Sequence, residues 1–242
     1  MQDTETIISN GSRKKAPVTR DPDIRSVLLR ELNQRFPDPS HDLILEEFGC
    51  KGARIDVAVV NGSLHGFEIK SDSDSVARLE DQKSQYSRIF DFMTLICGYK
   101  LLPAVQNIIP KWWGVRVAEM HDGVVTINDI RKPRKNKTQD KAALARMLWK
   151  DEALRCLRRN GCKGVNSRHS AEEVWNYAAE QLALKTLADE VRLAIKARGG
   201  SGFEKQSVRD GGSSTIESTA LLDHFSQNLN WLLSQRCTHR LD

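Results

Sequence analysis

Arg54-Ile55-Asp56-Val57-Ala58-Val59-Val60, then Asn61-Gly62-Ser63, then Leu64-His65-Gly66-Phe67-Glu68-Ile69-Lys70 is the stretch on which the fold turns. Two alternating runs flank a turn dipeptide, the pattern of a β-hairpin. Side chains along a strand repeat every second residue, so Glu68 and Lys70 share a face. Charge on an otherwise apolar strand is costly to bury unpaired. Register decides whether Asp56 joins them. A bare Asn61-Gly62 loop pairs Asp56 with Phe67 and sends it to the opposite face, because a one-residue slip flips every side chain. A three-residue loop or a bulge pairs Val60 with Leu64, Ala58 with Gly66 and Asp56 with Glu68. The sequence therefore predicts the longer loop, with two carboxylates and a lysine converging where a hard divalent cation can sit.

The hairpin has neighbours on both sides. Asp23 to Phe36 reads as a helix with Pro22 in its first turn, Asp21 or Asp23 as cap, and an apolar stripe of Ile24, Val27, Leu28, Leu32 and Phe36. Leu43 to Phe48 reads as a first strand. Ser73 to Phe90 reads as a helix, Met93 to Gly98 as a strand covered on both faces, and Pro103 to Ile109 as a short helical turn. Trp112 to Ala118 and Val124 to Ile127 form a second hairpin across His121-Asp122-Gly123. Trp112-Trp113 reads as one core and one rim residue, with base stacking as the alternative. The order helix, three strands, helix, strand describes a mixed α/β layer.

Asp56 with Glu68-Ile69-Lys70, followed by Gln82-Lys83-Ser84-Gln85-Tyr86, resembles the D…(D/E)-x-K core and Q-x-x-x-Y motif of the PD-(D/E)XK nuclease superfamily. Closer still is a little-characterised bacterial family of that fold, over roughly residues 23 to 130. Ile55 stands where the superfamily's name puts proline. The resemblance implies a restriction-endonuclease-like α-β-β-β-α-β core with a mixed central sheet, followed by a helical C-terminal region. It implies a Mg²⁺-dependent deoxyribonuclease, Mn²⁺ substituting, in bacterial repair, restriction or defence against mobile DNA. Asp56 and Glu68 would hold the metal with the backbone carbonyl of Ile69, and Lys70 would position or deprotonate the attacking water. A further acid is expected upstream: Glu47, whose parity with Leu43 and Leu45 faces it inward, then Glu31, then Glu46. Gln82 and Tyr86, four apart on one helix face, would support the site or contact substrate. Arg54 would meet phosphate or pair with a carboxylate. The plainer alternatives are a surface Glu–Lys pair, a half-buried core tyrosine with a polar rim, and a nucleic-acid-binding or adaptor protein that keeps the fold without catalysis.

The bulk properties set bounds. The chain has 242 residues and a net charge of +5, a mild lean toward polyanions such as nucleic acid, DNA before RNA. No apolar run of about 20 residues exists to span a membrane, and no signal peptide is read at the N-terminus, so a cytoplasmic location is expected. Five cysteines without zinc-type spacing read as free thiols, and His65 as structural. No Walker loop or G-x-G-x-x-G occurs.

The expected organisation is a basic disordered tail (1–20), a nuclease-like domain (21–130), a basic linker (131–138), a helical region (139–198), a Gly/Ser linker (199–214) and an amphipathic C-terminal helix (215–242). Arg131-Lys132-Pro133-Arg134-Lys135-Asn136-Lys137 reads as a solvated linker or as a phosphate-contacting strap. The helical patterns 139–159 and 171–198 loosely resemble a SAP-type DNA-binding module; a helical pair packing on the first domain is the alternative. The last helix would dock in cis, self-associate into a homodimer or hold a partner protein.

Overall fold

The computed structural model describes residues 18–50 and 52–199. Most of the expected N-terminal tail, most of the Gly/Ser segment, the expected C-terminal helix and Cys237 lie outside the described residues. The fold is α/β, built on a six-stranded mixed sheet. Its strands are β1 (Leu43–Cys50), β2 (Ala53–Val60), β3 (Leu64–Lys70), β4 (Phe92–Gly98), β5 (Gly114–His121) and β6 (Val124–Arg131), in spatial order 1 to 6. The pairs β1–β2, β2–β3 and β5–β6 are antiparallel, while β3–β4 and β4–β5 are parallel. Parallel neighbours need a crossover. Helix α2 (Leu79–Ser87) supplies the first, and a 3-10 turn with α3 (Leu102–Ile108) supplies the second.

Helix α1 (Asp21–Arg35) covers one face. Ile24, Leu28 and Leu32, spaced three to four apart, pack on Val57, Val59, Phe67 and Ile69. Its N-cap is Arg20, with no side-chain cap from Asp21 or Asp23. The other face carries the larger core, shared by the strands, by α2 and by α4 (Lys141–Ala145), α5 (Lys150–Arg159), α6 (Ala171–Gln181) and α7 (Leu184–Ala197). The predicted long helical stretches are each two helices. The helical region and the sheet thus bury one continuous apolar cluster.

Two further expectations differ from the structure. The helix predicted from Ser73 begins only at Leu79. The Asp74 carboxylate accepts from the Ser71 amide (2.6 Å) and hydroxyl (2.7 Å), giving the chain a local turn in place of helical bonds. The basic stretch expected as a solvated linker is docked: Asn136 is buried and its neighbours bond backbone to backbone with the sheet domain. Trp113 is fully buried and Trp112 half-buried, one core and one rim. His65 stacks on Phe67 and bonds Thr94 Oγ1 (2.9 Å). Cys50, Cys97, Cys156 and Cys162 are free thiols. Among the described residues no helix is long and apolar enough to cross a membrane.

Candidate functional site

The hairpin loop has three residues, with Val60 opposite Leu64 and Ala58 opposite Gly66. Asn61 Oδ1 accepts from the Ser63 amide at 3.0 Å, closing the turn. The ladder between β2 and β3 ends at Val57–Phe67. Beyond it Asp56 Oδ2 takes the Ile69 N–H at 2.6 Å, where a strand carbonyl would otherwise sit. The two strands part there, and the parting opens a pocket of about 310 Å³. Glu47, Arg54, Asp56, Glu68, Lys70 and Gln82 all line it, with Arg78 and Tyr86.

The same place breaks the β1–β2 ladder. Pairing runs Glu46 with Val57 and then Phe48 with Ile55, passing over Glu47 and Asp56. Leu45 and Phe48, three apart, both face the larger core, as do Ile55 and Ala58. Each strand therefore changes face at this point, although the register is the same on both sides of it. Glu47 takes φ +49°, left-handed backbone that a residue with a Cβ rarely adopts. It is exposed at the pocket rim, so strand parity does not turn it inward. There it pairs with Arg25 (3.0 Å) and Arg54 (2.8 Å). Glu31 is elsewhere, paired with Arg116 (2.7 Å), and Glu46 is exposed.

Glu68 and Lys70 are buried, and Lys70 Nζ donates to Glu68 Oε1 at 2.6 Å. Gln82 Nε2 donates to the same oxygen at 2.6 Å. Glu68 Oε2 and Gln82 Oε1 are buried with no partner. Burial pushes the Glu68 carboxyl up to about 7; the Asp56 carboxylate adds to the rise and the Lys70 ammonium opposes it. Burial also raises Asp56, against the Ile69 N–H and Arg25, which favour its charge. Tyr86 is buried in α2 and donates to the Arg54 carbonyl at 2.7 Å, tying α2 to β2. Ile69 enters the site through its N–H and does not itself line the pocket.

Arg25 is the residue that sequence reasoning missed. From α1 its guanidinium reaches the Asp56 carbonyl (2.9 Å), Asp56 Oδ1 (3.3 Å), Glu47 and Asp21. The reading of α1 followed only the apolar stripe. An arginine one residue after buried Ile24, at the border of that stripe, was the available signal.

Among the described residues no group of three or more His, Cys, Asp or Glu is placed to hold a metal. The donor set is smaller: Asp56, and Glu68 with an orphaned buried oxygen. Mg²⁺ is commonly held by one or two carboxylates, waters and a ligand phosphate, so these two residues fit it.

A family model described as bacteriophage P4 protein cII matches residues 14–221. Protein cII of Enterobacteria phage P4 is 30% identical over 145 residues, covering 60% of this chain and 54% of that protein. The chain thus spans about half the length of this curated relative. A solved protein of unknown function from Silicibacter pomeroyi is 18% identical, over 60% of this chain and 94% of that one, with a TM-score of 0.38. The family match overturns the nuclease-superfamily resemblance. The expectation of a nuclease, hydrolase or endonuclease in repair, restriction or defence falls with it. D…ExK and Q-x-x-x-Y are short motifs, and the match over most of the chain outweighs them.

Proposed function

This chain belongs to the family of bacteriophage P4 protein cII, and within it we propose a protein that binds nucleic acid, DNA before RNA, by gripping a backbone phosphate in the pocket between β2 and β3. One observation carries the reading. Glu68 lines a cavity of about 310 Å³ beside Asp56 and Lys70, its Oε2 buried without a hydrogen bond of normal length and eased only by the nearby Tyr86 hydroxyl. A buried carboxylate in that state is unfavourable alone and favourable with a cation. Mg²⁺, held by Asp56 and Glu68, would supply the positive charge that lets an anionic phosphate approach two carboxylates. Mn²⁺ fits the same oxygens. Lys70 holds Glu68 in place through its ammonium, Gln82 orients the same carboxylate, and Arg54 and Arg78 at the mouth attract the phosphate. Arg25 neutralises Asp56 and Glu47, keeping the acidic rim from repelling the ligand.

The order α1, β1, β2, β3, α2, β4 supports a core of restriction-endonuclease-like architecture, proposed here as a shape without the chemistry.

Fluorescence anisotropy with labelled single-stranded and duplex DNA, in Mg²⁺ and in EDTA, tests the reading. Wild type is expected to bind more tightly with Mg²⁺, and Glu68→Gln to lose that increment. Equal affinity in Mg²⁺ and EDTA, no binding at all, or cleavage of the probe overturns it.

A further inference from the structure

The basic stretch Lys132–Lys137 follows β6 and runs back across the sheet domain toward α2. A flexible linker would leave its backbone to water. Here the Arg134 amide donates to the Trp112 carbonyl at 2.8 Å, and the Asn136 amide to the Asp91 carbonyl at 2.8 Å. Asn136 is only 4% exposed. Its Nδ2 donates to the carbonyls of Ser87 (2.6 Å) and Phe90 (2.9 Å), and its Oδ1 accepts from the Thr138 amide and hydroxyl, each at 2.8 Å. Gln139 and the Asp140 amide continue the seam, on the carbonyls of Ile89 and Arg88. Pro133 seats on Gly114, where an added Cβ would lie 2.8 Å from Pro133 Cδ and 3.0 Å from its nitrogen. The bare glycine permits that approach. The chain is therefore pinned from Pro133 to Asp140 by Trp112 and Gly114 at the start of β5 and by the residues from Ser87, the last of α2, to Asp91.

The side chains left outside are cations. Lys132, Arg134, Lys135 and Lys137 are exposed. Lys135 has one weak partner, buried Asp91 at 4.0 Å, which Arg192 already holds at 3.0 Å. Among the described residues no ion pair engages Lys132, Arg134 or Lys137. Arg131 at the head of the segment is turned in, donating to the Trp113 carbonyl at 2.8 Å, and its charge is disfavoured by burial and by Arg134. Like charges crowded on a fixed backbone without acids to compensate them raise the local potential, and fixing them in advance removes the ordering cost from binding. The far end of the strap meets α2 at Ser87, and the face of α2 that carries Gln82 and Tyr86 lines the pocket.

We propose that Lys132, Arg134, Lys135 and Lys137 form a preorganised phosphate track, a second contact surface for the nucleic acid whose one phosphate sits in the Glu68 pocket. The inference rests on the proposed function but predicts a different signature. Track contacts release counterions and are weakened by Mg²⁺, which competes for phosphate as any counterion does, whereas the pocket contact is strengthened by it. Binding of a labelled DNA duplex is measured against salt concentration, in Mg²⁺ and in EDTA. Four proteins are compared: wild type, Lys132→Gln/Arg134→Gln/Lys135→Gln/Lys137→Gln, Asn136→Ala and Glu68→Gln. Neutralising the four cations is expected to weaken binding at least about tenfold at low salt and to flatten the log–log salt slope by about 1 per contacting residue, with the Mg²⁺ increment intact. Asn136→Ala keeps every charge and releases the backbone; it is expected to weaken binding with the salt slope little changed. Circular dichroism confirms that both variants are folded. A quadruple variant with wild-type affinity and slope overturns the track and leaves the pocket standing. A track effect without any Mg²⁺ increment overturns the pocket alone. No binding by wild type overturns both.

Discussion

The sheet contains two antiparallel hairpins that begin from similar turn sequences and end in opposite ways. Asp122-Gly123 takes left-handed backbone at both residues (φ +49° and +80°), and β5–β6 pairs regularly from His121–Val124 to Ala118–Ile127, with a shift only at Val115 and Arg116. Asn61-Gly62 looks like the same turn, yet Gly62 is not left-handed, the loop takes in Ser63, and the ladder stops after Val57–Phe67. The charges differ as well. In β5–β6 half-buried Arg116 pairs with Glu31 and Asp129, whose carboxylates are 40% and 60% exposed. In β2–β3 Glu68 and Lys70 are buried, and one carboxylate oxygen is left over. A hairpin that only has to fold keeps its ladder and leaves its carboxylates open to water. A hairpin that parts its strands over a buried acid retains a cost to stability, a pattern typical of a site.

Four perturbations sharpen the contrast. The largest is Lys70→Met, which leaves Glu68 buried without its cation. Chemical denaturation at pH 8 should show a loss of about 3–5 kcal/mol, shrinking at pH 5 as Glu68 takes up a proton. Next is pH itself. The folded Glu68 carboxyl stands near 7 against an ordinary value of 4.5. Between those values the folded chain holds a proton that the unfolded chain has lost, so the Glu68 contribution to stability falls as pH rises from 4.5 and levels off above 7. Relative to Glu68→Gln, wild type should lose at most about 3 kcal/mol over that window, and Mg²⁺ should return part of it. Equal pH profiles for the two proteins would contradict the burial argument. The turns come third: Gly123→Ala should cost about 1 kcal/mol and Gly62→Ala much less, read as thermal midpoints. The smallest effect is Arg116→Met, about 1 kcal/mol or less because its partners are exposed; a loss as large as that of Lys70→Met would erase the distinction between the hairpins.

Much of the sheet was legible because alternation and turn chemistry act locally. The parity of Asp56 and Glu68 alone demanded the three-residue loop, and the continuous apolar run at Met93 to Gly98 marked a strand covered on both faces. The features that were not legible depend on tertiary contacts. Glu47 reaches the pocket where β1 changes face, not through regular strand alternation, and no local pattern announces φ +49° there. Arg25 matters through residues 31 positions away. The seven-residue basic stretch reads as solvated because the single buried residue that pins it, Asn136, finds its partners 46 and 49 positions upstream. The family reading failed for another reason: a few chemically apt residues at common spacings outweighed the remainder of the chain, which carries the match to protein cII.

The pocket's claim on a cation is tested most directly by following the Glu68 side-chain carboxyl carbon by NMR through a pH titration, with and without Mg²⁺. A midpoint near 7 in the metal-free protein, carried well below 7 when Mg²⁺ is added, is the predicted result. A midpoint in the ordinary range near 4.5, unmoved by Mg²⁺, would contradict it.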